Sequence, residues 1–232
     1  MSGARRIVIP VYWGLTAALF GAAGALAAFY APVEQTMGAV QKIFYLHLSV
    51  AITTFVACGV VFLASIVYVW QRTRVWDDLA HAAAEVSVVF CSVILLTGMT
   101  WGRSAWGQWW TWSPRLTFSL VLWLLFVVYL MLRRTIESPD RRAIVAALYG
   151  IVAFLDVPLV YLSVKLLPDI HPATVALEPR MQHTLAFWFL PVAMLCVGLI
   201  WARYDLAARL RASEAASDPA DGADIAGPEV RA

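Results

Sequence analysis

Six apolar runs, each long enough to cross a lipid bilayer, divide this chain: Ile7–Phe29, Phe44–Trp70, Leu79–Thr100, Leu116–Leu132, Ala143–Leu167 and His183–Ala202. A spanning helix needs roughly 20 consecutive, mostly apolar residues. Composition agrees. The 232 residues are 62% hydrophobic and 14% charged, against about 25% charged in a soluble domain. The fold class expected is all-α, a polytopic membrane protein with six transmembrane helices embedded in the lipid bilayer. The first run follows "ARR" and precedes "ALAA", as a cleavable signal would. Signal cores are usually about 7–15 residues, and this run is longer, so it reads as a span.

Lys and Arg set the orientation. One set of segments holds Arg5, Arg6, Arg72, Arg74, Arg133, Arg134, Arg141, Arg142, Arg203, Arg209 and Arg211. The alternate set holds Lys42, Arg103, Arg115, Lys165 and Arg180. The count is 11 against 5, which predicts both termini in the cytoplasm and outer loops at about 31–43, 101–115 and 168–182. Residues 1–212 form the expected membrane domain. The stretch 213–232, "SEAASDPADGADIAGPEVRA", has no apolar period and reads as a disordered cytoplasmic tail. A net charge of +2 is too small to suggest nucleic-acid binding. Walker, GxSxG and HExxH motifs are absent, so the chain hydrolyses no nucleotide itself, and we expect no enzyme. Cys58, Cys91 and Cys196 lie inside apolar runs without metal or disulfide spacing, and read as small buried hydrophobes.

The second outer segment is unusual. In "WGRSAWGQWWTWSPRLT", Trp101, Trp106, Trp109, Trp110 and Trp112 are five of the chain's 11 tryptophans. An interfacial aromatic belt accounts for scattered residues such as Trp13, Trp70, Trp188 and Trp201. It accounts poorly for this density, spaced by Gly102 and Gly107. Glycine permits close backbone approach, and indoles stack on flat ligands. The segment predicts a platform for a planar ligand or partner.

Histidines gather at the same face. His47 lies at the outer end of span two, His171 in the third outer loop and His183 at the start of span six. His81 lies at the inner end of span three. A lone interfacial His is an ordinary amphipathic residue, but two or three beside an indole platform suit a metal ligand set, and imidazole is a common axial ligand of haem iron. Arg103 and Arg115 flank the platform and match carboxylates bidentately. A planar ring, an iron and two carboxylates together rank haem first, ahead of a quinone or a lipid headgroup. Arg115 also fits simple anchoring of span four. Asp156, two residues before Pro158 and in mid-span, reads as a cap for the helix break that the proline imposes, ahead of a functional intramembrane acid.

The segment "WGQWWTWSPRLT" resembles the tryptophan-rich signature W-G-x-W-W-x-W-D-x-R-L-T of membrane proteins that handle haem in cytochrome c maturation. "YLHLSV" and "DVPLVYLSVKLLPDIHPAT" resemble further segments of the haem exporter protein C type, and the resemblance covers about residues 7–205. It implies haem b held at the periplasmic face of the bacterial inner membrane. The tryptophan segment would be the platform, and His47 and His171 the axial ligands of the iron. It implies delivery of haem to a periplasmic haem chaperone. The implied partners are an ATP-binding subunit and a second membrane subunit of an ABC-type transporter, and a small single-span protein. The role implied is that of a carrier. The alternatives are a haem lyase acting on apocytochrome, usually a longer chain, and a permease subunit, which needs a polar path through the spans.

Two departures stand out. The pattern's Asp after the last Trp is replaced by Ser113, followed by Pro114. The Pro of the His-Val-Pro segment is also missing, since Leu48 and Ser49 follow His47. Any charge-assisted bond made by that Asp is absent from this position.

Overall fold

The computed structural model describes residues 3–171 and 175–217. Its helices are α1 (Gly3–Ala25), α2 (Ile43–Gln71), α3 (Arg74–Trp106), α4 (Pro114–Thr135), α5 (Pro139–Ala153), α6 (Asp156–Leu166) and α7 (Pro179–Ser217). A wider turn at Leu26–Tyr30 extends α1, and a tight one at Ala39–Lys42 leads into α2. Counting α5 and α6 as one broken span, six helical segments are long and apolar enough to cross a membrane, as the apolar runs predict. The helices overrun those runs. α3 continues to Trp106 rather than stopping near Thr100, and α7 continues to Ser217, past the expected start of the tail. The rest of that tail, 218–232, lies outside the described residues.

Small residues hold the bundle together, as they do where lipid supplies no hydrophobic drive between helices. α2 and α3 pack along Ala57, Cys58 and Ala64 of one and Ala80, Ala83, Ala84 and Ser87 of the other, all buried. Leu122, Phe126 and Tyr129 of α4 fill the remaining space of this core. Cys58, Cys91 and Cys196 are buried free thiols. Hydroxyls within the helices donate back to the preceding turn: Ser49 to the Tyr45 carbonyl, Thr54 to Val50 and Ser87 to Ala83, at 2.7, 2.7 and 2.8 Å. Each polar atom is thereby satisfied without water. The first span docks on the last. Tyr12 donates to the Met194 carbonyl at 2.6 Å, and a Cβ at Gly198 would stand 2.6 Å from the Tyr12 ring.

The fifth span breaks before Pro158, at Phe154–Leu155. Asp156 does not cap the break as expected. No side chain caps the start of α6, and Asp156, 6% exposed, keeps a buried Oδ2 without a hydrogen-bond partner. The backbone bridges the break itself, with tight-turn bonds from Leu155 N–H to the Val152 carbonyl (3.0 Å) and from Val157 N–H to Phe154 (3.0 Å). Pro158 then falls in the first turn of α6, where its missing N–H costs little.

Ion pairs tie one end of the bundle together. Arg203 and Arg211 of α7 pair with Glu85 and Asp78 of α3, and Arg5 of α1 pairs with Asp205 of α7. The most enclosed pair is bidentate: Arg133 of α4 donates to both oxygens of Asp77 of α3, at 2.5 and 2.9 Å. With both residues at most 7% exposed, removing one partner strands a buried charge, which typically costs about 3–5 kcal/mol. Asp77→Ala is expected to lower the thermal unfolding midpoint in detergent sharply. The double change Asp77→Leu with Arg133→Met should recover most of the loss.

Candidate functional site

At the opposite end, α2, α3, α4, α6 and the start of α7 enclose a cavity of about 460 Å³, within the roughly 300–1,000 Å³ usual for ligand pockets. His47, Trp101, Trp106, Trp110, Arg115 and His171 all line it. The two candidate ligands, from distant parts of the sequence, thus share one cavity with three of the five indoles.

His47 is set by the α2–α3 contact. Its Nδ1 lies 2.8 Å from Thr97 Oγ1, and the Cβ missing from Gly98 would stand 3.3 Å from its Cε1. Thr97 Oγ1 is also 2.7 Å from the Val93 carbonyl, which can only accept. The hydroxyl's one proton goes there, so the imidazole donates from Nδ1–H. The tautomer is assigned from this network. It leaves the Nε2 lone pair as the available ligand, the usual way an outer partner orients a ligating histidine.

The tryptophan platform is part helix and part loop. Nothing between Thr100 and Trp106 breaks α3, so Trp101 and Trp106 ride on its last turns. Gly107 ends the helix at φ 74°, with its N–H on the Arg103 carbonyl at 3.1 Å. The Trp106 ring folds back over Gly102, where a Cβ would meet it at 3.2 Å. Gly102 therefore serves an indole of its own chain. Trp101 and Trp106 meet edge to face at 5.2 Å, and the His171 ring lies 6.4 and 6.3 Å from their centroids.

Three expected site residues are not on the cavity wall. Trp109 is 60% exposed and Trp112 is 75% exposed, because the chain after Gly107 is irregular and turns them outward. Trp112 still packs on Trp110 at 5.8 Å. Arg103 curls onto its own helix end and donates to the Gly107 carbonyl. His183 is also elsewhere, with its Nδ1 3.2 Å from the Tyr30 hydroxyl.

Arg115 keeps its expected place. Its Nη2 donates to the Tyr161 carbonyl at 3.2 Å, and its Nε is buried without a partner. The second cation on the wall is Lys165. It lies over the Tyr161 ring at 4.5 Å and donates to that hydroxyl at 3.1 Å. Lys165 and Thr97 escape sequence reasoning because nothing in the sequence shows what either faces. A third such residue is Asp169, which accepts the Arg115 backbone N–H at 2.7 Å and the His171 backbone N–H at 2.8 Å.

The donor set discriminates among ligands. Among the described residues, no three His, Cys, Asp or Glu side chains converge as a metal site. Two imidazoles are too few for a bare ion such as zinc, which takes four ligands. They suffice for an iron already held in a porphyrin. The buried, unpartnered donors Trp101 Nε1, Trp110 Nε1 and Arg115 Nε call for acceptors such as carboxylates. These residues fit haem.

Comparison with known proteins points the same way. Heme exporter protein C of Rhodobacter capsulatus is 36% identical over 115 residues, which is 50% of this chain and 48% of that protein. The Bradyrhizobium diazoefficiens protein of that name is 35% identical over 146 residues, covering 62% and 56%. The one from Escherichia coli K12 is 30% identical over 162 residues, covering 67% and 65%. The chain thus spans about half the length of the first two relatives. Six apolar helices and bacterial relatives make it a multi-pass protein of the bacterial inner membrane. A family model described as Heme exporter protein C matches residues 2–217, and the chain belongs to that family.

Proposed function

We propose that the chain holds haem b in this cavity, at the outer membrane face, and presents it to a periplasmic haem chaperone during c-type cytochrome maturation. The observation that carries this reading is the convergence of His47 and His171 on one indole-walled cavity. Haem is the cargo here, and the chain acts as a carrier rather than an enzyme. Imidazole nitrogens of His47 and His171 would hold the iron. Trp101, Trp106 and Trp110 would wall the ring and exclude water. Arg115 and Lys165, the two cations on the wall, would take the carboxylates, with Lys165 in the place expected for Arg103. The names of the relatives support a haem export role. The partners we propose are an ATP-binding subunit, a second membrane subunit and a small single-span protein.

In this reading the arginine-rich end is cytoplasmic and the cavity opens toward the periplasm. Alkaline phosphatase is active only in the periplasm, so a fusion after Gln108 should be active and one after Ser138 inactive. The reverse pattern would invert the assignment.

Haem co-purification tests the ligands. His47→Ala combined with His171→Ala should abolish it, and each single change should convert the sharp bis-histidine bands to a five-coordinate spectrum. Undiminished haem in the double variant would remove both assignments. Thr97→Val keeps shape but leaves Nδ1–H without its acceptor. It should weaken haem retention about tenfold, the lower bound for losing an outer partner, while Thr97→Ser should retain it. Equal dissociation rates for all three proteins would show that the tautomer is fixed by other means.

A further inference from the structure

Five buried side-chain polar atoms between Trp101 and Arg115 have no hydrogen-bond partner: Trp101 Nε1, Trp110 Nε1, Thr111 Oγ1, Ser113 Oγ and Arg115 Nε. Ser113 stands at the N-cap of α4, and no side chain of its own segment caps that helix. A serine there normally accepts the N–H two or three positions on. Its backbone torsions, φ −67° and ψ 154°, are those of a cap, yet its hydroxyl is idle.

The N–H that Ser113 leaves free is taken from another part of the chain. Asp169, three residues after α6, places Oδ2 2.7 Å from Arg115 N. Its other oxygen, Oδ1, accepts the His171 backbone N–H at 2.8 Å. A carboxylate at a helix N-terminus is favoured twice over, by the unsatisfied N–H groups and by the positive end of the helix dipole. Bonds from N–H to an ionised acceptor are also the stronger kind. One carboxylate therefore ties two cavity-lining residues together, Arg115 at the start of α4 and His171 on the segment before α7. His171 is otherwise on irregular backbone.

The related sequence pattern has an Asp where Ser113 stands. Such an Asp, at the N-cap, would accept the same Arg115 N–H but could not by that bond alone hold the backbone of His171. We propose that Asp169 is a positioning residue of the haem site: it replaces the missing cap carboxylate of the tryptophan segment and, through its second oxygen, fixes His171 against the platform. The proposal rests on His171 being an iron ligand. It assigns to one side chain both a stability role, at α4, and a ligand-orienting role, at the iron.

The two roles separate by rescue. Asp169→Ala should lower the thermal midpoint of the detergent-solubilised protein. It should also broaden the low-temperature electron paramagnetic resonance signal of the bound ferric haem, and raise haem loss to apomyoglobin about tenfold, as for other outer partners of metal ligands. Asp169→Asn, which offers one acceptor oxygen instead of two, guards against misfolding and should give intermediate rates. Adding Ser113→Asp to Asp169→Ala should restore the thermal midpoint but neither the resonance signal nor the slow haem loss. Restoration of all three would make Asp169 only a helix cap and overturn the positioning role. Parental haem loss in both Asp169 variants, with fast loss in His171→Ala, would overturn it while leaving the haem reading intact. Parental spectra in His171→Ala would overturn both.

Discussion

Every backbone N–H and C=O within the bilayer must find its partner inside the protein, because the hydrocarbon offers none. This constraint makes each crossing segment a helix and sends the Ser49, Thr54 and Ser87 hydroxyls back to carbonyls of their own helix. It also decides where chemistry can sit. Polar groups that must stay open to a ligand are affordable only where helices end or where they face a cavity. Both conditions meet at the end of the bundle where α3 stops, α4 starts and α6 runs out. The opposite end spends its charge on Arg133–Asp77 and the pairs between α3 and α7.

Apolar run length made the six spans legible, and the indole cluster with His47 and His171 pointed to residues of which both histidines and three indoles line one cavity. What stayed hidden has a common cause. Thr97 and His47 are 50 residues apart, and Asp169 and Arg115 are 54 apart. A threonine inside an apolar run looks like any lipid-compatible hydroxyl until the facing helix is known. Trp109 and Trp112 face away from the cavity wall, and the density of indoles in a sequence does not reveal their direction. The end of α3 lies beyond its apolar run, because the helix continues through Gly102, Arg103 and Ser104 to Trp106. Asp156 was given a capping role that the backbone of the break fills unaided.

A helix start can take its cap from outside its own segment. At the start of α4 the requirement is a negative oxygen at the second amide, Arg115 N–H. The sequence position of that oxygen is free, provided some segment passes within reach. Asp169 passes there because α6 and α4 pack side by side, with the Arg115 guanidinium on the Tyr161 carbonyl at 3.2 Å. Under the proposed positioning role, a one-dimensional pattern scores a loss at Ser113 where Asp169 supplies the carboxylate from another segment.

A site that gives its ligand away has a different requirement from one that keeps it. Two equally rigid ligands would hold haem well and release it slowly. The two histidines here are not equal. His47 sits inside α2, wedged on Gly98 and bonded to Thr97, where moving it means moving a packed helix pair. His171 lies beyond the end of α6, outside any helix, with its backbone held by Asp169. Local opening costs least where backbone is irregular and few packed groups must separate. Under the proposed function, an incoming chaperone would meet one anchored ligand and one that can yield. The haem would stay tethered through His47 until the new bond forms on the side of His171.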